Sequence, residues 1–306
     1  MENNQSNTTD KPKKKPGRPR IAKPKKVVLV NGVVDKPNDV NHIMEFTYPY
    51  PTDFKRIFNM LSHYYVEIVV IEFGMNFVSI KSKDHTKQTT ISVQIDCNKI
   101  SEYYCKQPFT MCVKCEYLVK LFGTCTSEHC RFVIASNEND YQSCLEICLV
   151  NDAASIHDSY IIETSLSEKP HNEQIDMIGI NNYLMRCTIC SKNFKRFIYD
   201  SLSNKILTIE KHNQTYLKFK TTYNNKLSCT RTFRNEHDID LGSNLNTREY
   251  FNVDLNIERI QPFSDINISK HVNMYINTQD VVFEKHIGDS AITVRIHTQC
   301  INYMTR

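Results

Sequence analysis

"DFKRIFNMLS" (residues 53–62) and "NFKRFIYDSLS" (residues 193–203) are near copies of one cationic helix pattern, set nearly half the chain length apart. In the first, Phe54, Ile57, Phe58 and Leu61 recur at i, i+3, i+4 and i+7, the spacing of one apolar helix face. Lys55, Arg56 and His63 fall off that stripe. In the second, Phe194, Phe197, Ile198 and Leu202 form the stripe, and Lys192, Lys195 and Arg196 fall off it.

The neighbours of the two helices repeat as well. "IMEFTY" reads as a strand closed by Pro49, Pro51 and Thr52, with Asp53 placed to cap the helix that follows. Strands over 66–73, 77–83 and 88–95 come next. In the second copy, "NYLMRCTIC" (182–190) is the strand, Asn193 stands in the place of Asp53, and strands over 206–211, 215–221 and 226–233 follow. Each copy then has a second strand–helix unit. "FTMCV" leads into a helix over 115–123 and strands at 130–136 and 141–150. "YFNVDLN" leads into a helix from Ile257 that Pro262 shortens or kinks, then strands at 271–277, 281–287 and 291–300. An order of strand, helix and three strands that occurs twice is an internal duplication of architecture. The expected class is α+β. The expected organisation is a tail over 1–42, a first domain over 43–150, a connector over 151–182 and a second domain over 183–306.

Charge is divided unevenly along the chain. Nine basic residues between Lys11 and Lys26, set against Glu2 and Asp10, give the first 26 residues +7, so the remainder carries −3 of the total +4. The tail lacks hydrophobic periodicity and is expected to be disordered. Its "KKKPGRPRIAKPKK" resembles an AT-hook, in which Arg18 and Arg20 would lie in a narrow A·T minor groove. A nuclear import signal, or attraction to any phosphate backbone, is the plainer reading of the same residues. No apolar run reaches membrane-spanning length and no apolar leader precedes the tail, so membrane and secreted classes are not expected. The twelve cysteines are then expected to stay reduced.

With this order of elements in place, the chain resembles the proliferating cell nuclear antigen (PCNA) type of DNA sliding clamp, particularly the divergent clamps of nucleocytoplasmic large DNA viruses such as African swine fever virus. "GMNFVSI" (74–80), "FTMCVKCEYLVKLFG" (109–123) and "IGINNYLMRCTICSKNFKRFI" (178–198) carry the local match. The resemblance implies two similar clamp domains per chain, antiparallel sheets outside and two helices of each domain lining a bore. It implies double-stranded DNA held through phosphates alone, with Lys55, Arg56, Lys120, Lys192, Lys195, Arg196 and Arg259 as the bore cations. It implies a homotrimer closed by antiparallel pairing of edge strands near 141–149 and 226–233. It also implies that DNA polymerase and other replication proteins dock under the connector, at Ile80, Ile178, Ile180 and Ile296. Such a protein would work in the host nucleus or in a cytoplasmic viral replication factory. A clamp-fold transcription factor, or a DNA-binding protein that never closes a ring, is the competing reading.

Catalytic readings find no support in the residues. Seven glycines, with neither a dinucleotide fingerprint nor a Walker loop, leave nucleotide hydrolysis without machinery. Cys112-x-x-Cys115 and Cys187-x-x-Cys190 have zinc spacing, but each pair straddles a strand end and a helix start in a different half of the duplication. Buried thiols acting as small hydrophobes fit that placement better. The expectation is a protein that is not an enzyme and needs neither cofactor nor metal.

Overall fold

In a computed structural model, the described residues lie between His42 and Thr305, with the longest breaks at 138–143, 165–182 and 242–250. The tail with Arg18 and Arg20, and the connector positions Ile178 and Ile180, lie outside the described residues.

The first half runs β1 (His42–Tyr48), α1 (Pro51–His63), β2 (Ile68–Phe73), β3 (Phe77–Lys83), β4 (Thr89–Asp96), β5 (Glu102–Cys105), β6 (Phe109–Lys114), α2 (Cys115–Gly123), β7 (Arg131–Asn137), β8 (Cys144–Asn151) and β9 (Ile156–Glu163). The second runs β10 (Met185–Cys190), α3 (Ser191–Asp200), β11 (Ile206–Lys211), β12 (Tyr216–Tyr223), β13 (Leu227–Arg234), β14 (Ile239–Leu241), β15 (Phe251–Asn256), a 3₁₀ turn (Ile257–Arg259), α4 (Gln261–Asp265), β16 (His271–Ile276), β17 (Asp280–Ile287), β18 (Ile292–Gln299) and β19 (Asn302–Thr305). The helices expected at the two near-copies are present as α1 and α3.

These strands form three antiparallel sheets. One has the order β5-β1-β7-β8-β9 and another β13-β12-β11-β15-β19. The third is a nine-stranded sheet with strands from both halves, β14-β10-β16-β17-β18-β4-β3-β2-β6. The two halves therefore fuse through β18 and β4, paired from Ile292↔Ile95 to Thr298↔Thr89. Alternation explains the fit, since Ile91, Val93 and Ile95 face inward beside Ile292, Val294 and Ile296, all buried.

Three sequence expectations change. Strand β9 occupies residues read as connector; Ile162 is buried and the whole strand is zipped to β8. Strand β8, near the expected free edge at 141–149, consequently lies between β7 and β9 and is interior. Asp53 does not cap α1. Pro51 opens that helix at a position where a missing N–H costs nothing, and Asp53 sits in the first turn.

The starts of α2 and α3 are satisfied by carbonyls of the residues just ahead of β2 and β16 rather than by side chains. The Cys115 N–H donates to the Glu67 carbonyl and the Ser191 N–H to the Lys270 carbonyl, both at 2.8 Å. As expected at Pro262, the helical segment from Ile257 is short: it divides into a 3₁₀ turn, which Asn256 caps through the Glu258 N–H at 2.9 Å, and a five-residue α4 with Pro262 in its first turn. Arg259 thus sits on the 3₁₀ turn, not on α4.

Candidate nucleic-acid interface

Helix α1 packs on α2, α3 packs on α4, and α1 also touches α4, so the four helices form one row, α2-α1-α4-α3. Aromatic packing joins the helices to one another and to the sheets. Phe58 of α1 lies 5.1 Å from Phe122 of α2, and Phe54 of α1 lies 4.6 Å from Phe132 of β7, ring centre to ring centre. In the second half, Phe194 meets Phe283 at 5.5 Å and Phe197 meets Phe219 at 5.4 Å. Each fully buried ring contributes roughly 2 kcal/mol of apolar transfer energy, which holds the opposite, polar face of each helix outward.

That outward face carries Arg56, Asn59 and His63 on α1, Lys120 on α2, and Lys192, Asn193, Arg196 and Tyr199 on α3, all exposed. Glu116 and Asp200 are exposed on the same helices and dilute the charge. Arg56 reaches Asp53 at 3.4 Å and Arg196 reaches Asp200 at 3.8 Å. Exposed pairs of this kind are worth little in water and exchange readily for another anion.

Lys55, Lys195 and Arg259 behave differently. The Lys55 amino group donates to the carbonyls of Gly123 at 2.9 Å and Cys125 at 3.0 Å, closing the C-terminal end of α2. It is half-buried and committed to structure, which corrects its reading as a bore cation. Lys195 is also half-buried and pairs with Asp265 of α4 at 3.2 Å. Arg259 is half-buried, with its guanidinium on the Gln88 side chain and its carbonyl accepting from the Tyr64 hydroxyl at 2.8 Å.

Ile80 and Ile296 do not form a docking groove. Both are buried in the hydrophobic core, on the sheet face that packs against the helices, where an incoming peptide has no access. Their strand alternation, not their apolar character, was the signal that assigns them to the core. Cys112, Cys115 and Cys187 are buried, and burial pushes the Cys115 thiol up to about 11. Among the described residues no group of three His, Cys, Asp or Glu side chains is arranged to hold a metal ion, and no helix is long and apolar enough to cross a membrane.

No protein-family model matches the chain. An uncharacterized protein of African swine fever virus is 22% identical over 279 residues, spanning 85% of this chain and 88% of its own length, in the isolate Pig/Kenya/KEN-50/1950. The version from the isolate Tick/Malawi/Lil 20-1/1983 matches to the same extent. Among solved structures, PCNA of Entamoeba histolytica superposes with a TM-score of 0.69 at 12% identity, over 85% of this chain and 99% of its own. PCNA of Thermococcus kodakaraensis superposes with a TM-score of 0.70 at 11% identity, over 84% of this chain and 99% of its own. Two helix-and-strand halves fused through one continuous sheet, a single row of helices, and these matches together identify the chain as a PCNA-like clamp in fold, with a sequence relative in African swine fever virus.

Proposed function

We propose that this chain is a DNA sliding clamp, the processivity factor of a viral DNA polymerase, and that it acts as a closed homotrimeric ring. The observation that carries the reading is the pairing of β18 with β4. Strand β18 is the ninth strand of its half and β4 is the fourth of the other. The corresponding ninth and fourth strands, β9 and β13, end their sheets with open edges. Pairing β9 of one copy with β13 of the next repeats the internal junction between molecules, and a head-to-tail contact of this kind closes into a ring.

The edge chemistry supports this. β9 carries Glu163 and Asp158, the latter paired with His129 at 3.3 Å; β13 carries Arg234 and Arg231, the latter paired with Asp200 at 3.7 Å; and Ile161 on β9 is 74% exposed. An open strand edge with an exposed isoleucine calls for a partner. In such a ring the helix row faces the hole, and Arg56, Lys120, Lys192 and Arg196 meet phosphates of any sequence. Phosphate-only contact lets the ring slide. The domain limits proposed with it are 43–150 and 183–306, the first extended by β9. Docking of polymerase and other replication proteins, DNA contact by the tail, and work in the nucleus or a viral factory belong to the same proposal, as does the absence of catalysis.

Retention on DNA tests the topology. Ring protein assembled on closed circular DNA should survive high salt and be lost once the circle is cut. A clamp-fold protein that only lies on the surface would leave both forms alike as counterions compete, and that result would replace this reading with the non-ring, transcription-factor-like one.

A further inference from the structure

Two residues of the described chain, other than glycine, have positive φ: Tyr65 at 52° and Lys87 at 58°. They belong to neighbouring loops. Tyr65 follows the C-terminal end of α1, where its N–H donates to the Ser62 carbonyl at 2.9 Å and the Val66 N–H donates to the Leu61 carbonyl at 3.3 Å. This is the left-handed helix stop that glycine normally fills. Lys87 ends the β3–β4 turn, where its N–H donates to the Asp84 carbonyl at 2.9 Å. The buried Asp84 carboxylate accepts the Thr89 N–H at 2.8 Å and so pins that turn. Glycine is favoured there too. The loops are tied together by the His85 N–H on the Tyr64 carbonyl at 3.3 Å.

Both side chains point to solvent. Tyr65 is 71% exposed and its ring meets His85 edge-on at 5.3 Å. His85 and Lys87 are exposed. A bulky residue at positive φ is unfavourable, and such strain collects at working sites. Here it turns the Tyr65 ring, with His85 against its edge, and the Lys87 side chain of the adjoining turn outward to solvent. The corner continues the polar line Arg56, Asn59, His63 of α1, and Arg259 joins it through Gln88. The nearest acids in sequence are Glu67 and Glu258, with Asp84 buried under the turn.

We propose that Tyr65, His85 and Lys87 form a stacking contact for an unpaired nucleotide where single-stranded DNA leaves the duplex at the rim of the bore. Tyr65 carries the base, and Lys87 meets its phosphate. Nucleic acid suits this corner better than a peptide because it prolongs a line of phosphate-facing groups and offers a flat ring beside cations rather than an apolar groove. The inference rests on the bore reading above.

The test compares full-length protein binding, by fluorescence anisotropy at low salt, to a blunt duplex and to the same duplex with a single-stranded extension. Wild-type protein should prefer the extended form by about 5- to 150-fold, the range of one base stack. Tyr65→Gly should lose that preference while keeping blunt-duplex affinity, and its melting temperature should rise by about 2–4 °C as the strain is relieved. Tyr65→Phe should keep the preference. A Tyr65→Gly protein that still prefers the extension, or a wild-type protein that never does, overturns this proposal and leaves the bore reading standing. A wild-type protein that ignores the blunt duplex as well overturns both.

Discussion

The amino group of Lys285 lies 2.7 Å from the Phe263 carbonyl and 4.7 Å from the centre of the Phe263 ring, wholly inside the protein. It also donates to the Ile266 carbonyl at 2.8 Å, so one lysine of β17 closes the C-terminal end of α4. Burial lowers its pKa to about 7, with Lys195 adding to the lowering and Asp265 opposing it.

A pH dependence of stability follows. Between pH 7 and the ordinary lysine pKa of 10.5, the unfolded chain holds this proton and the folded chain does not. Stability should therefore rise with pH across that window, by up to about 1.4 kcal/mol per unit, and fall again as pH returns to 7. Lys285→Met should flatten this part of the profile. Urea midpoints measured from pH 7 to 9.5 on both proteins check it; parallel profiles would show that Lys285 stays charged in the fold.

The two adjacent cations of α1 should separate cleanly. Lys55→Met removes the closure of α2 and should cost about 1 kcal/mol of stability with little change in DNA binding. Arg56→Gln should leave stability within about 0.5 kcal/mol and reduce the salt dependence of DNA binding by about one phosphate contact. Denaturant melts and binding at several salt concentrations decide between these roles, and a reversed pattern would return Lys55 to the bore.

Those neighbours also show where sequence reading succeeds and fails. The stripe Phe54, Ile57, Phe58, Leu61 determines α1 because burial follows a local period, and its copy at Phe194, Phe197 and Ile198 does the same for α3. Lys55 and Arg56 look equivalent on that period. What separates them is the end of α2, brought near by the tertiary fold from 68 residues away. Strand β9 is missed for another reason: Ile156, Tyr160, Ile161 and Ile162 favour a strand locally, but the signal is diluted across the whole stretch 151–182, and it is pairing with β8 that defines its bounds. Ile80 and Ile296 were misplaced for the opposite reason. A likeness of position suggested a groove, while their alternation with Ser79, Lys81, Arg295 and His297 already assigned them to the inner face.

Glu284 should govern acid stability. Burial raises its pKa, but hydrogen bonds from His286 at 2.8 Å, Asn273 at 3.1 Å and Arg295 at 2.6 Å outweigh that and lower it to about 2. Because the folded pKa lies below the usual 4.5, its contribution is complete above pH 4.5 and is lost as pH falls toward 2. Glu284→Gln leaves the Arg295 charge with a weaker partner and should destabilise by about 3 kcal/mol at neutral pH. It should also remove the acid-sensitive limb of the stability profile. An unchanged limb in the variant would assign acid unfolding to other carboxylates.

The open edge of β9 should decide the assembly state. Ile161 projects from that edge at 74% exposure, beside Glu163 and opposite in charge to the Arg231 and Arg234 edge of β13. A lysine there adds a like charge against β13 and removes apolar burial, while leaving the folded monomer unaffected because the side chain already lies in solvent. Wild-type protein should sediment near three times the 35.8 kDa chain mass, and Ile161→Lys near the chain mass itself. Helical content and melting behaviour should match between the two apart from the concentration dependence that assembly brings. If Ile161→Lys retained the wild-type mass, the copies would be joined through another surface, and β9 with β13 could not be the seam.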